Sequence, residues 1–138
     1  MGLAQHLMAT AIVFGAMTLA PAALAGGENG SEVSFTEDIV PVLKRRCAVC
    51  HLTGQEPGGM SLVPAKAYDN LVGVASQQGE LLRVKPGDPQ GSYLYRKLMG
   101  THTEAGGNGA RMPFGAPPLP EDHLELIRLW IEQGAPEN

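Results

Sequence analysis

The sequence predicts an all-α domain. Three observations carry this: apolar residues recur at helical spacing near both ends of the chain, no stretch alternates apolar and polar residues as a strand would, and 138 residues leave room for one domain and little more. A fourth feature says where the chemistry lies. Both cysteines of the chain fall in Cys47-Ala48-Val49-Cys50-His51, directly after the first helical stretch.

Residues 1–25 read as a signal peptide. No charged residue occurs there, Ala11-Ile12-Val13-Phe14 forms an apolar centre, and Ala23-Leu24-Ala25 has the small-x-small form of a cleavage site. The segment before the apolar run carries no Lys or Arg, so a retained N-terminal anchor is the rival reading. Export to the periplasm is the expectation in either case. All Lys/Arg (10) and all Asp/Glu (14) lie after Ala25, so the mature part keeps the net charge of -4. An acidic balance of this kind excludes nucleic acid as an expected partner, because neutralising phosphates needs a basic surface. Nothing after Ala25 is long and apolar enough to span a membrane.

Residues 26–33 read as a flexible leader and residues 34–138 as the domain. Ser34 or Thr36 caps the first helix, with acids in its first turn and Phe35, Ile39, Val42 and Leu43 on one face. Pro41 comes too late for the favoured first position, which predicts a kink or an irregular first turn. Lys44-Arg45-Arg46 closes the helix at its carbonyl end. After a Gly-rich turn, a short helix is expected from Pro64 to Val72, stopped by Gly73.

The next helix follows Val84-Lys85-Pro86-Gly87, with Asp88 as cap, Pro89 at the first helical position and Gly100 past its end. Tyr93, Leu94, Leu98 and Met99 are its expected packing residues, with Arg96 and Lys97 outward or at the carbonyl end. Residues 101–119 form a long Gly- and Pro-rich loop, a length that suits binding. The last helix starts near Pro120, carries Leu124, Ile127, Trp130 and Ile131 as its apolar stripe, and ends at Gly134.

Cysteines at i and i+3 lie about one helical turn apart. Two thiols so placed can reach two vinyl groups of one macrocycle while the next residue, a histidine, turns its imidazole to the metal; C-x-x-C-H is the pattern of covalent haem attachment. A structural zinc site needs four ligands, and no second Cys pair completes one. A thioredoxin-like dithiol expects a strand before the motif. A plain disulfide in so short a loop gains little entropy.

The second axial face is then filled or left open. Of the methionines after residue 25, Met60, Met99 and Met112, only Met112 sits in a proline-stiffened loop, Arg111-Met112-Pro113-Phe114. Pro113 restricts Met112 to extended backbone, which suits presenting the side chain rather than packing it in a helix. Histidine at 102 or 123, or an open face, are the alternatives. Arg111 is a candidate partner for a haem propionate or a solvated loop charge.

These residues resemble class I c-type cytochromes, and more closely the bacterial planctomycete-type cytochrome c domains. The resemblance rests on Phe35-x-x-Asp38-Ile39-x-Pro41-x-Leu43, the Cys47–His51 motif, Gly58-Gly59-Met60-x-Leu62, Val84-x-Pro86-Gly87-Asp88-Pro89-x-x-Ser92-x-Leu94, Met112-Pro113, and Leu124-x-x-Ile127-x-x-Trp130-Ile131-x-x-Gly134-Ala135. It spans essentially all of residues 26–138. What it implies is a compact cytochrome c-like helical domain wrapped around one covalently bound haem c, with Cys47 and Cys50 as thioether attachments, His51 as proximal ligand and Met112 as distal ligand. The implied function is electron transfer between a redox protein donor and acceptor, either as a free carrier or as a subunit of a dehydrogenase, with no substrate chemistry. A haem enzyme or gas sensor with an open distal site, using His102 as an acid/base, is the alternative. Neither the partners nor the oligomeric state is encoded in a motif.

Overall fold

Ser34 opens the first helical turn in the way its residue type dictates. Its backbone is extended (φ -83°, ψ 129°) and its Oγ accepts the Glu37 N–H at 3.1 Å, so one orphan donor of the helix start is satisfied. Asp38 Oδ2 reciprocates by accepting the Ser34 N–H at 2.9 Å. Phe35–Ile39 form a wide π-helical turn, and α1, Val40–Arg46, continues from it with Pro41 in its first positions. The irregular turn expected around Pro41 is therefore present. A wide turn relieves the proline of the hydrogen bond its ring nitrogen cannot donate.

The computed structural model describes residues 1–2 and 31–138. The expected signal peptide, its anchor alternative and residues 26–30 of the leader lie outside the described residues. Four α-helices make up the rest of the frame: α1, then α2 (Ala67–Leu71), α3 (Tyr93–Met99) and α4 (Glu121–Glu132). A 3-10 turn spans His102–Ala105. Among the described residues there is no strand, only isolated bridges such as Val72 with Val84. The all-α class holds.

Two boundaries differ from the sequence reading. The second helix is shorter than the expected Pro64–Val72, because residues 64–66 form turns before α2 starts at Ala67. The third starts at Tyr93 rather than after Asp88. Asp88 Oδ1 accepts the Gly91 N–H at 2.7 Å and so closes a tight turn of its own. Ser92, fully buried, then takes the Lys85 N–H and donates to the Asp88 carbonyl, both at 2.8 Å, which locks that turn onto α3. Gly100 ends α3 in the left-handed region (φ 84°), where a helix stop places glycine.

One side chain on α3 departs from expectation: Met99 is 47% exposed instead of packed. Lys97, expected outward or at the carbonyl end, lies in the last turn of the helix but is only 6% exposed. With Leu94 and Leu98 turned to the interior, position 97 falls one turn from Leu94 on that same inner side.

The core joins the first helical turn to α4 and the residues after it. The Phe35 ring lies 5.3 Å from Trp130 and 5.1 Å, edge-on, from Tyr68, with Ile127 and Ile131 of α4 buried beside them. Backbone bonds reinforce the pairing: Thr36 N–H donates to the Asn138 carbonyl at 2.9 Å, and Trp130 Nε1 to the Pro136 carbonyl at 3.0 Å. This leaves the Cys47–His51 segment, α3 and the 106–119 loop around an open cleft.

Candidate functional site

α1 does not stop cleanly at Arg46; its hydrogen bonding runs on through the cysteines. Cys47 N–H donates to Leu43 O at 2.9 Å, and His51 N–H to Cys47 O at 3.0 Å, so residues 47–51 form one further helical turn. The His51 carbonyl in turn accepts the Leu62 N–H at 2.8 Å, which ties the turn to the buried segment behind it. Both cysteines are free thiols, Cys47 half-buried and Cys50 exposed. Burial pushes the Cys47 thiol up to about 11, with Arg46 pulling the other way.

The cleft above this turn has a volume of about 690 Å³, within the roughly 300–1,000 Å³ range of small-molecule sites. Cys47, Cys50 and His51 line it from one segment; Met112, Pro113 and Phe114 line it from the long loop. Leu62, Leu71, Leu94 and Leu98 supply apolar wall. The four residues expected to act together thus share one cavity.

His51 is buried, and its Nδ1 has no hydrogen-bond partner. Burial lowers its pKa, Glu56 opposing and Arg83 adding to that effect, so the ring is kept neutral with a lone pair to donate. A methyl group at Gly58 would sit 3.5 Å from Met60 Cε and 3.8 Å from His51 Cε1, which puts Met60 on the histidine's own side. Met112 is half-buried, and its N–H is held by the Lys97 carbonyl at 3.1 Å.

The rival ligands are elsewhere. His102 is 2% exposed, stands edge-on to Tyr93 and pairs its Nε2 with the Gly109 carbonyl at 2.9 Å; it does not line the cleft. His123 on α4 does not line it either, and Met99 faces solvent. Arg111 stands away from the wall, its side chain passing over Gly100.

Sequence reasoning missed Arg83 and Lys97, both buried and both lining the cleft. Arg83 donates to the carbonyls of Asn70, Gly58 and Gly59 at 2.8, 2.9 and 3.0 Å. The signal for it was a charge inside the apolar run Leu81-Leu82-Arg83-Val84; for Lys97 there was none beyond its spacing from Leu94.

Compared with family models, curated proteins and solved structures, the chain matches none. Among the described residues, no three of His, Cys, Asp and Glu come together in a group that could hold a metal ion. No helix among the described residues is long and apolar enough to cross a membrane.

Proposed function

We propose that the protein is a monohaem c-type cytochrome, exported to the periplasm, that carries single electrons between a redox protein donor and acceptor. The observation that carries this reading is the shared cavity: two free thiols one helical turn apart, a neutral imidazole and a thioether all line an apolar cleft of about 690 Å³. This donor set fits a haem. Cys47 and Cys50 would hold it through thioether bonds, and His51 and Met112 would ligate its iron. When bound, such a group supplies one-electron redox chemistry, and Met/His ligation favours its reduced state.

The chain's own residues do the rest. Leu62, Leu71, Leu94 and Leu98 keep water from the cleft and lower its dielectric. The Leu62–His51 backbone bond fixes the turn that carries the imidazole. Val49, Leu52 and Phe114 are exposed apolar side chains, and Val49 and Phe114 line the mouth of the cleft beside Arg45 and Arg46. A mixed apolar and basic rim of this kind suits brief contact with a redox partner. The enzyme reading needs His102 free in the cleft, and its bond to Gly109 counts against that.

The test is to express the full chain with c-type maturation and record its pyridine haemochrome and ferric spectra. A c-type haemochrome and a weak red charge-transfer band, the band lost in Met112→Ala, are expected. Absence of covalent haem would sink the proposal, and a five-coordinate spectrum in the unmutated protein would move it to the open-site enzyme.

A further inference from the structure

A chain with net charge -4 lines this cleft with Arg45, Arg46, Arg83 and Lys97 against one acid, Glu56. That acid is already engaged. Its carboxylate accepts the N–H of Thr53 and of Gly54 and the Thr53 hydroxyl, so it serves its own turn. Arg45 and Arg46 sit at the outer end of α1, where water solvates them. Arg83 and Lys97 do not have that outlet, being 6% exposed each.

Buried cations ordinarily sit against a carboxylate, because burying one unpaired forfeits its hydration. Among the described residues neither Arg83 nor Lys97 forms a salt bridge. Arg83 gives three hydrogen bonds, all to carbonyls, from a group with five N–H donors; the Lys97 ammonium gives one, to the Asn108 carbonyl. Donors remain on both. Burial lowers both pKa values with no acid acting in the other direction.

The two cations belong to one structural unit. Leu94 N–H donates to the Arg83 carbonyl at 2.9 Å, and Tyr93 N–H to the Leu82 carbonyl at 2.8 Å, so the strand-like segment carrying Arg83 is stapled to the first turn of α3, which carries Lys97. The Tyr93 ring, 5.7 Å from Lys97 Nζ, backs the lysine. None of this comes from the Cys47–His51 segment.

We propose that Arg83 and Lys97 are the anchor for the acid groups of the bound ligand, here the two propionates of the haem in the function proposed above, on which this inference rests. Arg111 is not that anchor, since it does not line the cleft. The unit therefore discriminates by charge: it favours a flat apolar ligand bearing carboxylates over the same ligand with those groups esterified.

The probe is iron-free protoporphyrin IX and its dimethyl ester, so that no axial bond contributes. Each is titrated into the full chain carrying Cys47→Ser and Cys50→Ser, following quenching of Trp130, its only tryptophan. The diacid is expected to bind at least about tenfold more tightly than the diester, and Lys97→Met and Arg83→Met are each expected to erase most of that preference. Lys97→Arg is expected to restore it. Arg83→Met also releases three carbonyls, so Lys97→Met, which releases one, decides the matter if the first variant unfolds. Equal binding of diacid and diester, or a preference untouched by Lys97→Met, overturns the inference. If the matured wild type carries c-type haem yet the Cys47→Ser, Cys50→Ser chain shows no such preference, the anchor fails while the cytochrome reading stands. A preference for the diacid in a chain that never acquires covalent haem supports the anchor and refutes the cytochrome.

Discussion

At the scale of single residues, the two thiols of one motif are chemically unequal. Cys50 is exposed, while Cys47 is half-buried with its thiol pushed from 9.0 up to about 11. Only the thiolate is nucleophilic, so a rise from 9.0 to about 11 cuts its fraction at pH 8 about a hundredfold. With both thiols free, iodoacetamide is expected to label Cys50 well before Cys47, read by peptide mass spectrometry over time; equal rates would contradict the burial seen here. Glu56 gives a second expectation. Its own backbone N–H first, then those of Thr53 and Gly54 and the Thr53 hydroxyl, hold its pKa down from 4.5 to about 2. A depressed carboxyl pKa stabilises the fold above the ordinary value and loses that contribution as pH falls through about 2. A carbon-13 NMR titration of the Glu56 carboxyl should therefore find its midpoint near 2.

At the scale of elements, the helices were legible where a cap or a stop acts locally. Ser34 caps, Gly73 and Gly100 stop, and the apolar spacing of α4 finds Ile127, Trp130 and Ile131 buried. The start of α3 was not legible. Asp88-Pro89 carries the signature of a helix start, but the Asp88 side chain is equally suited to close a turn, and the buried Ser92 hydroxyl four residues on decides between them. Gly100 allows a direct check. A side chain at its φ of 84° costs about 1–2 kcal/mol, and a Cβ there would meet Arg111 Cδ at 3.1 Å. Gly100→Ala is expected to lower stability by that amount in urea unfolding, with little change in the cleft residues.

At the scale of the whole molecule, the motif Cys47-Ala48-Val49-Cys50-His51 announced a site from sequence, because its chemistry is packed into five consecutive residues. The opposite wall was legible only in parts: Met112 stood out in its proline-stiffened loop, while Arg83 left only the signal of a charge inside an apolar run. Their meeting with Lys97 rests on backbone bonds between α3 and its neighbours, Leu94 to Arg83 and Met112 to Lys97, which no local pattern reveals. The aromatic contact at the centre carries much of the stability. Trp130 is fully buried against Phe35, so Trp130→Ala is expected to cost about 3–5 kcal/mol, measured as a lower melting temperature in calorimetry. Against a typical total of about 5–15 kcal/mol, that is enough to leave the fold marginal.

The bonds from Phe35 and Thr36 to Asn138 join residues 103 and 102 positions apart. Helical proteins built from neighbouring contacts fold within microseconds to milliseconds, since each helix meets the next one along. Here the first turn meets the last residue, and the long intervening chain must be drawn closed before that contact yields any stabilisation. This protein is helical in content, yet it must close one long stretch of chain to join its first helical turn to Asn138, and its folding should be slower than that of a helical protein built from neighbouring contacts alone.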